Sequence, residues 1–570
     1  MTNLIPRHGT WKSLASAKND TLVPVLLNET DMERLIGRLL ERIVKHGRAS
    51  SPHGVVGVDG LNRIVQGLSE NSNVVGFQNE AGRQILEGWL RASVLTIKRS
   101  GKGRSGQENV DYFVPHSAAV YRSGYPRTTS RYRKADLFAY EAMLKARALE
   151  EAGDKFEIAK SVMNIIANES SQEERSVLGK GVEFGAFPRT SPHYLEGTSV
   201  DIESLLQLRS LEKSVARDPG AEKTSSKLGP FPETSINFGQ DLVAFLESCA
   251  HLTSLEVTSG LEGILGFHLY CLPLLTSISL DAQFDLASSE NEQDGRNFKR
   301  KLDLYFDFTN EPDSHSSTLA NLSVARDFKR ARRLFDNMIL LREVESTIRM
   351  SKFEQEYASL EKENYEAIVR YQIDALKVDD VKSVGDVRLR MLLSEMGEEE
   401  RKISQQLIQG IDNPIEKIAQ IVITDRESEA LMGMRKWAYS TGGLDPVARR
   451  TANYLLVGTK RASTTWKYRL SDSLLTTLIQ LCFIHEGNPL DAQRPTRMPM
   501  SMLLKRLEDR YGIIIDRPPH GMDSMEDFKA ANQNKAAFKN KLKILGLFDG
   551  LSDDSNAQNV RNPLGGTNER

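Results

Sequence analysis

A mainly α-helical, multidomain protein is what this sequence predicts, with winged-helix-like modules at both ends around a helical hub that holds a short strand element. Three observations carry that expectation. Apolar residues recur at helical spacing over most of the 570 residues. One run, KLDLYFDFT from Lys301 to Thr309, alternates Leu302, Leu304, Phe306 and Phe308 against Asp303, Tyr305 and Asp307, the period of a half-buried strand. Near each end, three helical stretches precede a hairpin or a short wing.

A chain of this length exceeds one core, and the prior is several domains of roughly 100 to 200 residues each. Hydrophobic content of 39% and charged content of 27% are ordinary for a soluble globular protein. The net charge of −2 means that any nucleic-acid affinity must come from local patches. Cys249, Cys271 and Cys482 lie far apart without paired spacing, which argues against a disulfide framework and a zinc site and for a reducing cytoplasm. The first residues contain no apolar run of signal-peptide length. Gly263 to Leu280 lacks Asp, Glu, Lys and Arg over 18 residues, but His268, Pro273 and several hydroxyls make it a buried core helix rather than a membrane span.

In chain order, residues 1–28 read as a flexible arm and 29–134 as a winged helix-turn-helix-like domain. Met32, Leu35, Ile36, Leu39, Leu40 and Ile43 define a first helix; a second follows Asp59 as its cap; a third runs from Asn79 through Ile85, Leu86, Trp89 and Leu90. SVLTIKR and NVDYFVP then form strands about the tip SGKGRSGQE. From Arg91 to Lys134 the sequence holds ten cations (Arg91, Lys98, Arg99, Lys102, Arg104, Arg122, Arg127, Arg131, Arg133, Lys134) against Glu108 and Asp111, with tyrosines interleaved. Such a local excess suits a phosphate backbone, although basic loops are also commonly just solvated.

Residues 135–235 read as a helical connector ending in the Pro, Gly and Ser-rich boundary VARDPGAEKTSSKLGPFPETS. LGKGVEFGAF lacks phosphate-loop spacing. The α-rich hub, 236–440, includes the turn after the strand, where Asp307, Glu311, Asp313 and His315 are conceivable metal ligands; the simpler reading is a turn at Asn310 and Pro312 with Ser316 or Ser317 capping the next helix. On that helix Arg326, Arg330 and Arg333 share a face and offer a second DNA contact, and the helix is expected to continue to Leu376. Residues 441–564 repeat the three-helix order, with Lys535, Lys539, Lys541 and Lys543 making the last helix basic, and 565–570 read as a disordered tail. His485 beside Glu486 reads as a charge at a helix end rather than a base.

The stretch WLRASVLTIKRSGKGRSGQENVDYFVP, the LDLYFDFT hub and the ending ILGLFDGLSDDSNAQNVRNPL together resemble accessory proteins of multi-gene prokaryotic anti-phage defence systems, of the methylation-associated or phosphorothioation-dependent type. The resemblance implies a non-enzymatic partner of a helicase, nuclease or modification enzyme that senses or holds foreign DNA and supplies no catalytic residue to carry over; no cofactor is expected. Three functions follow in order: a DNA-binding adaptor subunit, a protein-interaction scaffold without DNA contact, and a metal-dependent nuclease centred on the 307–315 turn.

Overall fold

The computed structural model describes residues 22–44, 58–70, 76–100, 107–113, 134–149, 228–231, 233–248, 252, 254–288, 301–360, 365–444, 453–485, 495–550 and 558–563. Among these the chain is mainly helical, with a few short strands. Leu22, Val23, Val25 and Leu27, in the expected arm, are buried, because the apolar run LVPVLL packs into the main core. Helices α1 (Met32–Val44), α2 (Val58–Ser69) and α3 (Glu80–Trp89) follow, then the antiparallel pair β1 (Leu95–Ser100) and β2 (Gln107–Phe113). Asn79, where the third helix is expected to begin, caps α3 by accepting from Gly82 N at 2.7 Å. Asp59 does not cap α2, which begins one residue earlier, and Ile85 of α3 faces solvent.

The first helix differs most from expectation. Whereas α2 packs on α3 and β2, α1 packs on α4 (Ala135–Leu149) and α6 (Ser254–Ser288) and so belongs to the body of the protein. Helix α4 crosses α5 (Glu233–Ser248) at Gly239, where a Cβ would lie 2.0 Å from Ala142 O; only glycine permits this approach. The apolar run expected to be a core helix builds α6, 35 residues long with Pro273 inside it. A helix apolar on nearly all sides needs neighbours on all sides. Helices α1, α5, α7 (His315–Ile348), α12 (Pro414–Thr441) and α13 (Asp472–Ile484) supply them. It is the one described helix long and apolar enough to cross a membrane, and 89% of its apolar window is buried inside the fold.

Strand β3 (Leu304–Tyr305) precedes α7 and pairs in parallel with β7 (Ile513–Ile514). The alternating run is not half-buried: Leu304, Phe306 and Phe308 enter the main core, while Tyr305 enters a second cluster with Leu319, Ala320, Ile514, Ala530 and Ala531. Asp307, on that second side, is also fully buried. Helix α7 stops at Ile348 instead of reaching Leu376. Ser351 Oγ bonds Ile348 O at 2.8 Å and accepts from Phe353 N at 3.2 Å, a local alternative to the helical ladder. Shorter helices α8 (Glu354–Ser359), α9 (Tyr365–Ala375), α10 (Asp379–Glu395) and α11 (Glu398–Leu407) follow, and α9, α10 and α12 pack back on α7.

The hairpin β4 (Leu456–Thr459) and β5 (Ala462–Tyr468) lies on α7. Beyond α13 come β6 (Arg497–Pro499), α14 (Met500–Tyr511), β7, α15 (Met525–Ile544), β8 (Phe548–Gly550) and β9 (Gln558–Arg561). Strands β6, β9 and β8 form an antiparallel sheet in that order. Gly512 ends α14 at φ +66°, where a Cβ would strike Leu302. Buried Asp241 of α5 ties this part to the body: it accepts from His268 of α6 and His485 after α13, each at 2.7 Å, and from Arg510 of α14 at 2.6 Å. Burial alone would raise its carboxyl, but Arg510 and the two imidazoles outweigh burial and hold it well below the usual range.

Candidate nucleic-acid interface

Helix α15 has one face built for anchoring and one left to solvent. Ser524 caps it in a reciprocal box with Asp527, and Asp527 also receives His315 Nε2 at 2.6 Å. Ala530, Ala531, Asn534, Phe538 and Leu542 point inward. Fully buried Asn534 acts as a strand partner: its Oδ1 accepts from Phe308 N at 2.7 Å, and its Nδ2 donates to Phe306 O at 2.8 Å and Ile515 O at 3.0 Å. The Phe308 and Phe538 rings meet edge to face 4.8 Å apart beside it.

Opposite lie Lys529, Asn532, Gln533, Ala536, Asn540 and Lys543, all exposed and spaced three and four apart along one stripe. Between Phe528 and Phe548 the sequence has no Asp or Glu. Lys539 and Lys543 stand over the Phe548 ring, 5.2 and 5.8 Å from its centroid, which restrains both ammonium groups near the β8 end of the stripe. Of the other lysines flagged by sequence, Lys535 pairs with Asp516 at 3.2 Å and Lys541 with Asp472 at 2.5 Å. Sequence reasoning missed Lys529, Asn532, Gln533 and Asn540; their helical spacing is a signal that a search for cations alone passes over.

The arginines of α7 turn the other way. Arg326 binds Asp303 Oδ2 at 3.0 Å and Asp327 Oδ1 at 3.1 Å; Arg330 binds Asp327 at 3.0 Å; Arg333 binds Asp281 at 3.1 Å. Asp327 is fully buried and also receives the Tyr468 hydroxyl at 2.9 Å. Burial pushes its carboxyl up, and Arg326 and Arg330 pull it only part of the way back. These guanidiniums fasten α7 to its surroundings.

Of the N-terminal cations, Arg91 is exposed and paired with Glu87 at 2.9 Å. Lys98 and Arg99 lie on β1, opposite Asn109 and Glu108 of β2. Lys134 immediately precedes α4 with φ 65°. Lys102, Arg104, Arg122, Arg127, Arg131 and Arg133 fall outside the described residues.

The 307–315 turn caps α7. Asp307 Oδ1 accepts from Thr309 Oγ1 at 2.7 Å and Ser316 Oγ at 2.9 Å, and Oδ2 faces Arg469 at 3.4 Å. Ser314, rather than Ser316 or Ser317, is the cap, accepting from Ser317 N at 3.1 Å. Glu311 and Asp313 are exposed, and His315 is directed at Asp527. Among the described residues no three or more His, Cys, Asp or Glu side chains gather as a metal site. His485, read as a helix-end charge, is a ligand of buried Asp241.

No curated protein sequence and no solved structure matches this chain. The sequence model of one family, described as "Methylation-associated defense system protein MAD7", matches residues 12–564. The chain therefore belongs to that family and is a component of a methylation-associated defence system.

Proposed function

We propose that this component is a non-enzymatic, DNA-contacting adaptor, with the C-terminal unit as its main DNA-facing end and the β1–β2 hairpin as a second phosphate contact. The observation that carries the reading is the outer face of α15: an exposed stripe of lysines and carboxamides without an acid, on a helix anchored by its other face. Topology gives further support. The order α13, β6, α14, α15, β8, β9, with the sheet running β6–β9–β8, supports reading this unit as winged-helix-like, a motif in which the third helix enters the major groove. The longer connection between α14 and α15 carries β7, which binds the unit to β3.

Phosphate contact in this arrangement comes from Lys529, Lys539 and Lys543. Between β8 and β9 the sequence also carries Asp553 and Asp554, whose negative charge opposes a phosphate backbone. The non-enzymatic part of the reading rests on saturation: the buried clusters around Asp241, Asp307 and Asp327 are filled by their own partners. A helicase, nuclease or modification enzyme of the same system supplies the chemistry. Fluorescence anisotropy of the purified chain with labelled duplex across a salt series, with and without magnesium, tests this. Salt-steep binding without cleavage is expected; absent binding at low salt would refute it. The scaffold reading draws on exposed Met525, Phe528 and Ile544 at the two ends of α15, and is favoured if neighbouring subunits co-purify with a chain that retains no DNA.

A further inference from the structure

We infer that the outer face of α15 reads adenine in the major groove, and that a methyl group on adenine N6 cancels the reading. This rests on the DNA-contact proposal and adds to it a base and a chemical mark.

Asn532, Gln533 and Asn540 are exposed on the stripe, and their side chains make no hydrogen bond to other described residues. A carboxamide carries an acceptor oxygen beside a donor NH2, and only adenine presents the matching pair, the N6 amino donor beside the N7 acceptor. Guanine shows two acceptors there and suits a cation instead. Ala536 lies between the carboxamides. Its small side chain allows the helix to seat deeply and can touch a thymine methyl. Lys529 and Lys543 stand at the two ends of the stripe, ~21 Å apart at the helical rise, placed for the phosphates on either side of the groove. Charge, spacing and donor pattern thus commit the face to one occupant, duplex DNA with its adenine edges toward the protein.

Methylation of adenine N6 replaces the amino hydrogen that faces the groove with a methyl group. The carboxamide oxygen then loses its donor and meets a carbon, while N7 remains. A methyl on cytosine C5 removes no donor and leaves these contacts untouched. The chain belongs to a methylation-associated defence family, and a reader with this chemistry engages unmarked DNA and releases marked DNA.

The test uses the full chain and three randomised duplex pools, one made with dATP, one with N6-methyl-dATP, and one with 5-methyl-dCTP in place of dCTP. The dATP and 5-methylcytosine pools should bind alike, and the N6-methyl pool more weakly by on the order of ten-fold. A variant combining Asn532→Ala, Gln533→Ala and Asn540→Ala should bind all three pools equally, at the weaker level, with an unchanged thermal melt. Equal binding of the dATP and N6-methyl pools by the unaltered chain overturns the inference and leaves the adaptor reading standing. No binding to any pool at low salt overturns both. If the triple variant keeps the discrimination, the reader lies elsewhere. If it instead loses a co-purifying subunit while binding DNA normally, α15 is a protein interface and the inference falls.

Discussion

Helices α7 and α15 are both rich in cations in the sequence, yet they use them in opposite ways. The arginines of α7 bend onto Asp281, Asp303 and Asp327, of which Asp327 is wholly buried. Those of α15 are lysines, and on its outer side Lys529 and Lys543 are exposed, with Lys539 and Lys543 over the Phe548 ring. A guanidinium is planar, offers five donors and suits a buried carboxylate; an ammonium is strongly hydrated and stays outside. The contrast teaches that a basic run acquires meaning only from where its counter-charges lie.

The comparison breaks most visibly at Asp327. Asp327→Ala strands Arg326 and Arg330 in partly buried positions, and the chain should lose about 3 kcal/mol of stability in a denaturant melt. Its salt dependence of DNA binding should not change. Asn534→Leu comes next: it leaves Phe308 N, Phe306 O and Ile515 O without a partner, costing about 2 kcal/mol by the same melt.

Asp241 extends the inward-facing class to a pH effect. Its folded carboxyl is held below the ordinary value, so its contribution is complete above the unfolded pKa of about 4 and is lost as pH falls through that value toward the lower folded one. Thermal melts from neutral to acid pH should fall off in that window. Asp241→Asn should be less stable at neutral pH and flatter toward acid.

Outward-facing charge should act on binding alone. Lys529→Glu with Lys543→Glu should leave the melt within ~0.5 kcal/mol and lower the slope of log affinity against log salt by about one per lysine. The smallest effect belongs to Asp553→Asn with Asp554→Asn, which should tighten duplex binding less than about five-fold, and only at low salt.

Much of this fold could be read from the sequence because it is local. Periodicity found α1, α7 and α15, and an apolar run without charge found α6, whereas Asp59, expected to cap α2, does not, and the cap at Asn79 was not singled out. What escaped depends on distant partners. The Asp303, Tyr305, Asp307 side of the strand looked solvent-facing; Tyr305 is buried there because residues of α7, β7 and α15 close over it, and Asp307 because Ser316 and Arg469 satisfy it. The basic cluster on α7 looked available because its counter-charges include Asp281 and Asp303, remote in sequence. On α15 the lysines announced a basic helix, but neutral Asn532, Gln533 and Asn540 leave no trace in a charge count.

The hydrogen bond from Asn534 to Phe306 spans 228 residues. At ordinary rates of protein synthesis, the strand segment leaves the ribosome roughly 10 to 45 s before its partner exists. During that interval LDLYFDF is an apolar strand with open edges, the kind of segment that pairs with a neighbouring nascent chain. Helix α7, which packs on β3 and is made directly after it, must hold it until α15 arrives, so production of this protein should be more sensitive to translation speed and temperature than its finished stability would suggest.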